Sequence, residues 1–109
     1  MLKILPYLKL CVEKNASDIY FTSNAPAMLR IEGEMRAVGR SLLTSEFIKE
    51  LAYSILTPEQ QAQLEREREI DLASHAGGLG RFRVNVFHQR NALAIVMRYV
   101  KSEVPKLEE

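Results

Sequence analysis

Arg81-Phe82-Arg83-Val84-Asn85-Val86-Phe87-His88-Gln89-Arg90-Asn91-Ala92-Leu93-Ala94-Ile95-Val96-Met97-Arg98 is the stretch that decides the fold. Residues 81–87 and 92–98 read as two β-strands, with Gln89-Arg90-Asn91 as the short turn between them. A hairpin centred between Arg90 and Asn91 sets Phe82 against Tyr99, Val84 against Met97 and Val86 against Ile95. All six then lie on one face, and burying such a face is what holds a hairpin in register. The same register puts Arg83 directly opposite Arg98 on the other face. Like charges facing each other across a ribbon repel and cost stability. A phosphate between them removes that cost through charge-assisted hydrogen bonds. The pair is therefore read as half of a phosphate-binding site. Arg81 shares the face of Arg83 by strand alternation and is an auxiliary candidate.

Outward from the hairpin, the chain alternates between helical and extended patterns. Leu2 to Lys14 reads as a helix that tolerates Pro6 in its first turn. Ile4, Leu5, Leu8, Cys11 and Val12 form its apolar stripe, and Asn15 suits a left-handed stop. Asp18 to Ser23 reads as a strand with Ile19 and Phe21 on one face. Asn24-Ala25-Pro26 is a turn, Met28 to Glu32 a second strand with Leu29 and Ile31 inward, and Glu32-Gly33-Glu34 the next turn. Met35 to Val38 returns as a short third strand. Ser41 to Ser45 leads into an amphipathic helix carrying Phe47, Ile48, Leu51, Ala52, Ile55 and Leu56 on one face. Thr57-Pro58-Glu59-Gln60 restarts a helix, with Thr57 as N-cap and Gln60 completing a capping box. That helix ends near Arg68. Ile70 to Ser74 is a strand, residues 76–80 a glycine-rich connection, and residues 104–109 a linker. The order predicts an α+β domain: an antiparallel sheet with helices packed on one face.

A chain of 109 residues supports one domain with one core. Its net charge of +1 gives no general attraction for nucleic acid or anionic membrane, so any anion binding is local. The apolar run Ala92 to Met97 is far short of the roughly 20 residues that span a bilayer. The apolar start carries Lys3, Pro6 and Lys9 and lacks a small-residue cleavage site, which argues against a secretory signal. One cysteine, Cys11, excludes an internal disulfide and fits a reducing cytoplasm.

Ala16-Ser17-Asp18-Ile19-Tyr20-Phe21 with Pro26, then Leu29-Arg30-Ile31-Glu32-Gly33-Glu34, resembles the N-terminal domain of type IV pilus retraction ATPases, in the secretion ATPase superfamily. Gly80-Arg81-Phe82-Arg83-Val84-Asn85 and Phe87-His88-Gln89-Arg90-Asn91 extend the likeness, and Val104-Pro105-Lys106-Leu107-Glu108-Glu109 resembles the lead into the motor domain. It covers nearly the whole chain, and the arginine-rich hairpin is its most specific part. Two branches compete. The main retraction motor usually has His where this chain has Tyr20; Gln89-Arg90-Asn91 before an apolar strand favours the accessory motor.

The resemblance implies a PAS-like domain over residues 1–103 and the start of a linker at 104–109. It implies ATP held between this domain and a RecA-like motor domain. Two arginines on neighbouring strands reach the terminal phosphates in the family, and by position these are Arg83 and Arg98. It also implies a homo-hexamer, contacts with motor domains of the same and neighbouring subunits, a paralogous retraction ATPase and the pilus inner-membrane platform as partners, and no nucleic acid. The place implied is cytoplasmic, peripheral to the inner membrane through the pilus machine. Magnesium belongs with ATP in the parent protein.

The sequence holds no G-x-x-x-x-G-K-[ST] phosphate loop and no acidic pair for magnesium on a motor-type strand. Phosphoryl transfer needs a metal, a phosphate cradle and a positioned water, so no residue here is expected to be catalytic, and this chain alone is not expected to hydrolyse ATP. Gly77-Gly78-Leu79-Gly80 has no lysine after it and reads as a hairpin connection. Arg30 points outward as a salt-bridge or subunit contact. His75 and His88 lie on different elements and make no metal site, and Cys11 is core. Two other functions fit the same pattern: a free-standing PAS-like sensory or protein-interaction module, and a subunit-contact module without nucleotide. Inner positions filled by Leu, Ile, Val and Phe disfavour a ligand inside the core.

Overall fold

A computed structural model describes residues 4–75, 80–90 and 92–100. The elements run α1 (Leu5–Glu13), β1 (Asp18–Phe21), β2 (Ala27–Ile31), β3 (Glu34–Val38), α2 (Ser45–Ser54), α3 (Pro58–Glu67), β4 (Glu69–His75), β5 (Arg81–Gln89) and β6 (Ala92–Val100). The strands form one six-stranded sheet in the order β3-β2-β1-β6-β5-β4, every neighbouring pair antiparallel. This is the α+β architecture the sequence predicts. The linker at 104–109, the boundary at 103, residues 2 and 3 of the first helix, Asn91 of the turn and residues 76–79 of the glycine-rich connection lie outside the described residues.

The hairpin register is the one its apolar pattern dictates. Phe82 pairs Tyr99, Val84 pairs Met97, Val86 pairs Ile95, and Gln89 pairs Ala92, leaving a two-residue loop. Arg90 opens that loop at φ 54°, the left-handed conformation that two-residue hairpins favour. The inward residues Ile19, Phe21, Leu29, Phe82, Val84, Val86, Ile95 and Met97 are buried. Ile4, Leu8 and Cys11 of the α1 segment, Ile48, Leu51 and Ala52 of α2, and Leu64 of α3 complete the same core. All three helices therefore cover one face of the sheet, and the other face is left open.

Local chemistry sets the helix ends. Thr44 Oγ1 accepts from the Phe47 amide at 3.1 Å and starts α2. At α3, Thr57 Oγ1 accepts from the Gln60 amide at 3.1 Å while Gln60 Oε1 accepts from the Thr57 amide at 2.9 Å, the reciprocal capping box. Asn15 and Arg68 turn left-handed, at φ 56° and 69°, to end α1 and α3. Strand β1 stops two residues earlier than its alternation predicts. Asn24 goes left-handed at φ 63°, its amide donates to Leu43 O at 2.8 Å, and Leu43 N returns a bond to Ala25 O at 2.9 Å. The loop is tied to the segment before α2 instead of lengthening the strand.

Gly80 admits the chain into β5 at φ +117°, where a side chain is strained, and a Cβ there would meet Tyr99 Cε1 at 3.1 Å. Gly80→Ala is expected to destabilise the domain by about 1–3 kcal/mol, read from urea unfolding.

Candidate functional site

Strand alternation sorts the polar residues onto the uncovered face. One row crosses five strands: Arg30 of β2 pairs Asp18 of β1, Asp18 pairs Arg98 of β6, Arg98 pairs Arg83 of β5, and Arg83 pairs Ala73 of β4. The next row runs Met28, Tyr20, Val96, Asn85 and Asp71. A cleft of about 220 Å³ lies over these rows, lined by Asp18, Tyr20, Asp71, Arg83, Asn85 and Arg98 among others.

The two arginines of the hairpin face each other as expected, but their surroundings differ. Arg83 makes no hydrogen bond or ion pair among the described residues. Arg98 donates from Nε to Asp18 Oδ1 at 3.4 Å. Asp18 is nearly buried, and its other oxygen accepts from Ser17 Oγ at 2.7 Å and lies 3.8 Å from Arg30 Nε. The Arg30 guanidinium in turn sits 5.8 Å from the centre of the Tyr20 ring. Two arginines, Arg98 and Arg30, thus share one carboxylate, and Arg83, the third in the row, takes no part in it. The nearest other acid on the face, Asp71, accepts from Asn85 Nδ2 at 2.8 Å and makes no ion pair with Arg83. The donor set left over is cationic and fits a phosphate: all of Arg83 and the Nη groups of Arg98.

Arg81 shares the open face but borders a second cleft of about 370 Å³ with Arg83 and Val100, beyond the first. Arg30 is held as a salt-bridge partner. The strand order makes Asp18 the centre of the row, a role its sequence context does not single out. Its signal was weak: a charged residue opening an otherwise apolar strand.

Other candidates do not assemble into chemistry. Among the described residues, no cluster of three or more His, Cys, Asp or Glu side chains is placed to hold a metal. His88 Nε2 is buried 3.7 Å from Glu65 Oε1, and Glu65 Oε2 also accepts from the Tyr53 hydroxyl at 2.7 Å. That trio ties α2, α3 and β5 together. The Cys11 thiol is buried; burial, with a smaller push from the Asp18 charge, raises its pKa from 9.0 to about 11. A thiol so placed is a poor nucleophile.

With this geometry established, comparison with known proteins becomes informative. No protein-family model matches the chain. It is 33% identical over 102 residues to the type IV pilus ATPase PilU of Pseudomonas aeruginosa, and 30% identical over 106 residues to PilT, the pilus retraction ATPase of the same organism. A crystal structure of the pilus retraction motor PilT with bound ADP superposes with a TM-score of 0.87 at 35% identity, over 94% of this chain and 30% of that one. The chain spans 27% of PilU and 31% of PilT. Fold and sequence together define the class: an N-terminal domain of a secretion ATPase. Within that class the chain belongs to the PilT/PilU type.

Two outcomes follow from the site's charges and its buried thiol. Arg83→Gln relieves the Arg83–Arg98 repulsion and is expected to stabilise the domain by up to about 1 kcal/mol at low salt, with the gain fading as salt is added; thermal melts across a salt series measure it. The Cys11 thiol ionises in the unfolded chain before it does so in the fold. Its effect on stability is therefore constant below pH 9.0 and becomes a loss between there and about 11, a loss absent from Cys11→Ala in parallel urea titrations.

Proposed function

We propose that this domain reads the nucleotide state of a type IV pilus retraction ATPase, with Arg83 and Arg98 contacting the phosphates of ATP. The observation that carries this is the facing pair on the open side of the sheet, with Arg83 unpaired and the Arg98 Nη groups unused among the described residues. A protein gains nothing in stability from that arrangement alone. It becomes favourable when a polyanion arrives from outside the domain, and a triphosphate held by a RecA-like motor domain is such a polyanion.

The coupling follows from charge. A charge-assisted hydrogen bond is worth roughly 1.5–3 kcal/mol. Two of them, made to a terminal phosphate and lost on its release, bias a two-state equilibrium by about a hundredfold or more. The equilibrium in question is rigid-body rotation of a PAS-like domain against the motor domain about the segment at 104–109, within a homo-hexamer. Magnesium would be held with ATP by the motor domain. Gln89-Arg90-Asn91 favours the accessory, PilU-like branch. The accompanying expectations are a cytoplasmic protein peripheral to the inner membrane, working beside a paralogous motor on the pilus platform. Among the described residues, no helix is long and apolar enough to cross a membrane.

The test uses the parent ATPase. Arg83→Ala and Arg98→Ala are each expected to lower ATP turnover about tenfold to a hundredfold. Near-normal turnover and nucleotide affinity in both would overturn the proposal.

A further inference from the structure

We infer that Asp18 is a positioning residue: it ties down Arg98 by one edge of its guanidinium and so aims the other edge at the phosphate. This rests on the phosphate reading of Arg83 and Arg98 given above.

Among the described residues, Arg98 is held only through Nε, at 3.4 Å from Asp18 Oδ1. A guanidinium has five N–H donors. With Nε engaged, the four on the Nη groups remain, and they form the fork that grips a phosphate with two parallel bonds. The Arg98 side chain is otherwise open to water, 72% exposed, whereas that of Asp18 is 9% exposed. A buried anchor thus holds an exposed, rotamer-rich side chain.

The anchor is itself fixed. Asp18 Oδ2 accepts from Ser17 Oγ at 2.7 Å and faces Arg30, which lies against Tyr20. That side of the carboxylate is occupied, and Oδ1 is presented to Arg98. Ordering a long side chain when ligand binds costs affinity, and ordering it beforehand avoids the cost. Arg83 has no such tether among the described residues. The two arginines therefore differ in kind: one is set in place before the anion arrives, and the other is recruited by it.

Asp18 also repels an incoming anion, so deleting its charge and deleting its tether have opposite effects. Two variants separate them. Asp18→Asn and Asp18→Ala lose the same charge, but only Asn keeps a carbonyl oxygen for Arg98 Nε. Inorganic tripolyphosphate is titrated into the 109-residue chain and followed by the side-chain Nε resonances of Arg83 and Arg98. Asp18→Ala is expected to bind about fivefold more weakly than Asp18→Asn, a difference of about 1 kcal/mol. It should also exchange its Arg98 Nε proton faster before ligand is added.

Equal affinity in the two variants would overturn the role given to Asp18, provided the wild-type resonances of both arginines respond to tripolyphosphate. Wild-type resonances that do not move would instead remove the phosphate site and this inference with it. If Asp18→Ala melts below the working temperature, Ser17→Ala decides. It loosens the anchor without changing any charge, and is expected to weaken binding about twofold or more; wild-type affinity in that variant would overturn the inference equally.

Discussion

The register of the β5–β6 hairpin is the constraint on which the rest depends. In a ribbon with period two, a one-residue slip of either strand would send its apolar set (Phe82, Val84 and Val86, or Ile95 and Met97) to water and its arginine into the core. Burial of those five side chains against three helices excludes the slip. The Arg83–Arg98 opposition is therefore imposed by packing on the far side of the sheet. The apolar face does the folding, and the polar face inherits its geometry. This is why a repulsive pair survives in the middle of a sheet.

Much of this was legible in the residues. The helix starts are written in short-range chemistry: Thr57, Pro58 and Gln60 spell a capping box, and the structure forms both of its bonds. Turns were legible where backbone conformation demands particular residues, as at Asn15 and at Glu32-Gly33, with φ of 52° and 82° at the latter two. What the residues concealed was long-range. Asp18 and Arg98 are 80 positions apart, and nothing local in either strand says that they adjoin. The early end of β1 has the same origin, since Asn24 is drawn away by Leu43. The His88–Glu65–Tyr53 trio likewise joins three elements that no periodicity connects.

The open face also suits the phosphate site proposed for it. Residues that must meet a charged ligand cannot be covered by helices, and residues that fill a core cannot serve a phosphate. A single antiparallel sheet with helices on one side separates these demands by alternation. Arg83 and Arg98 occupy the same strands as the core residues that place them. Their backbone is held in the sheet, while their side chains are exposed.

The strand order has a consequence for how the chain is made. β1, β2 and β3 form one antiparallel meander and β4, β5 and β6 another, and the two halves of the sheet join through the β1–β6 ladder. β6 is the last of these six strands to leave the ribosome, and it belongs in the middle of the finished sheet. Until it emerges, β1 offers an unsatisfied edge, and the early half waits as a partly assembled template open to wrong partners. The Asp18–Arg98 contact spans that seam, so the carboxylate at its centre gains its second cation only when synthesis of the domain is almost finished.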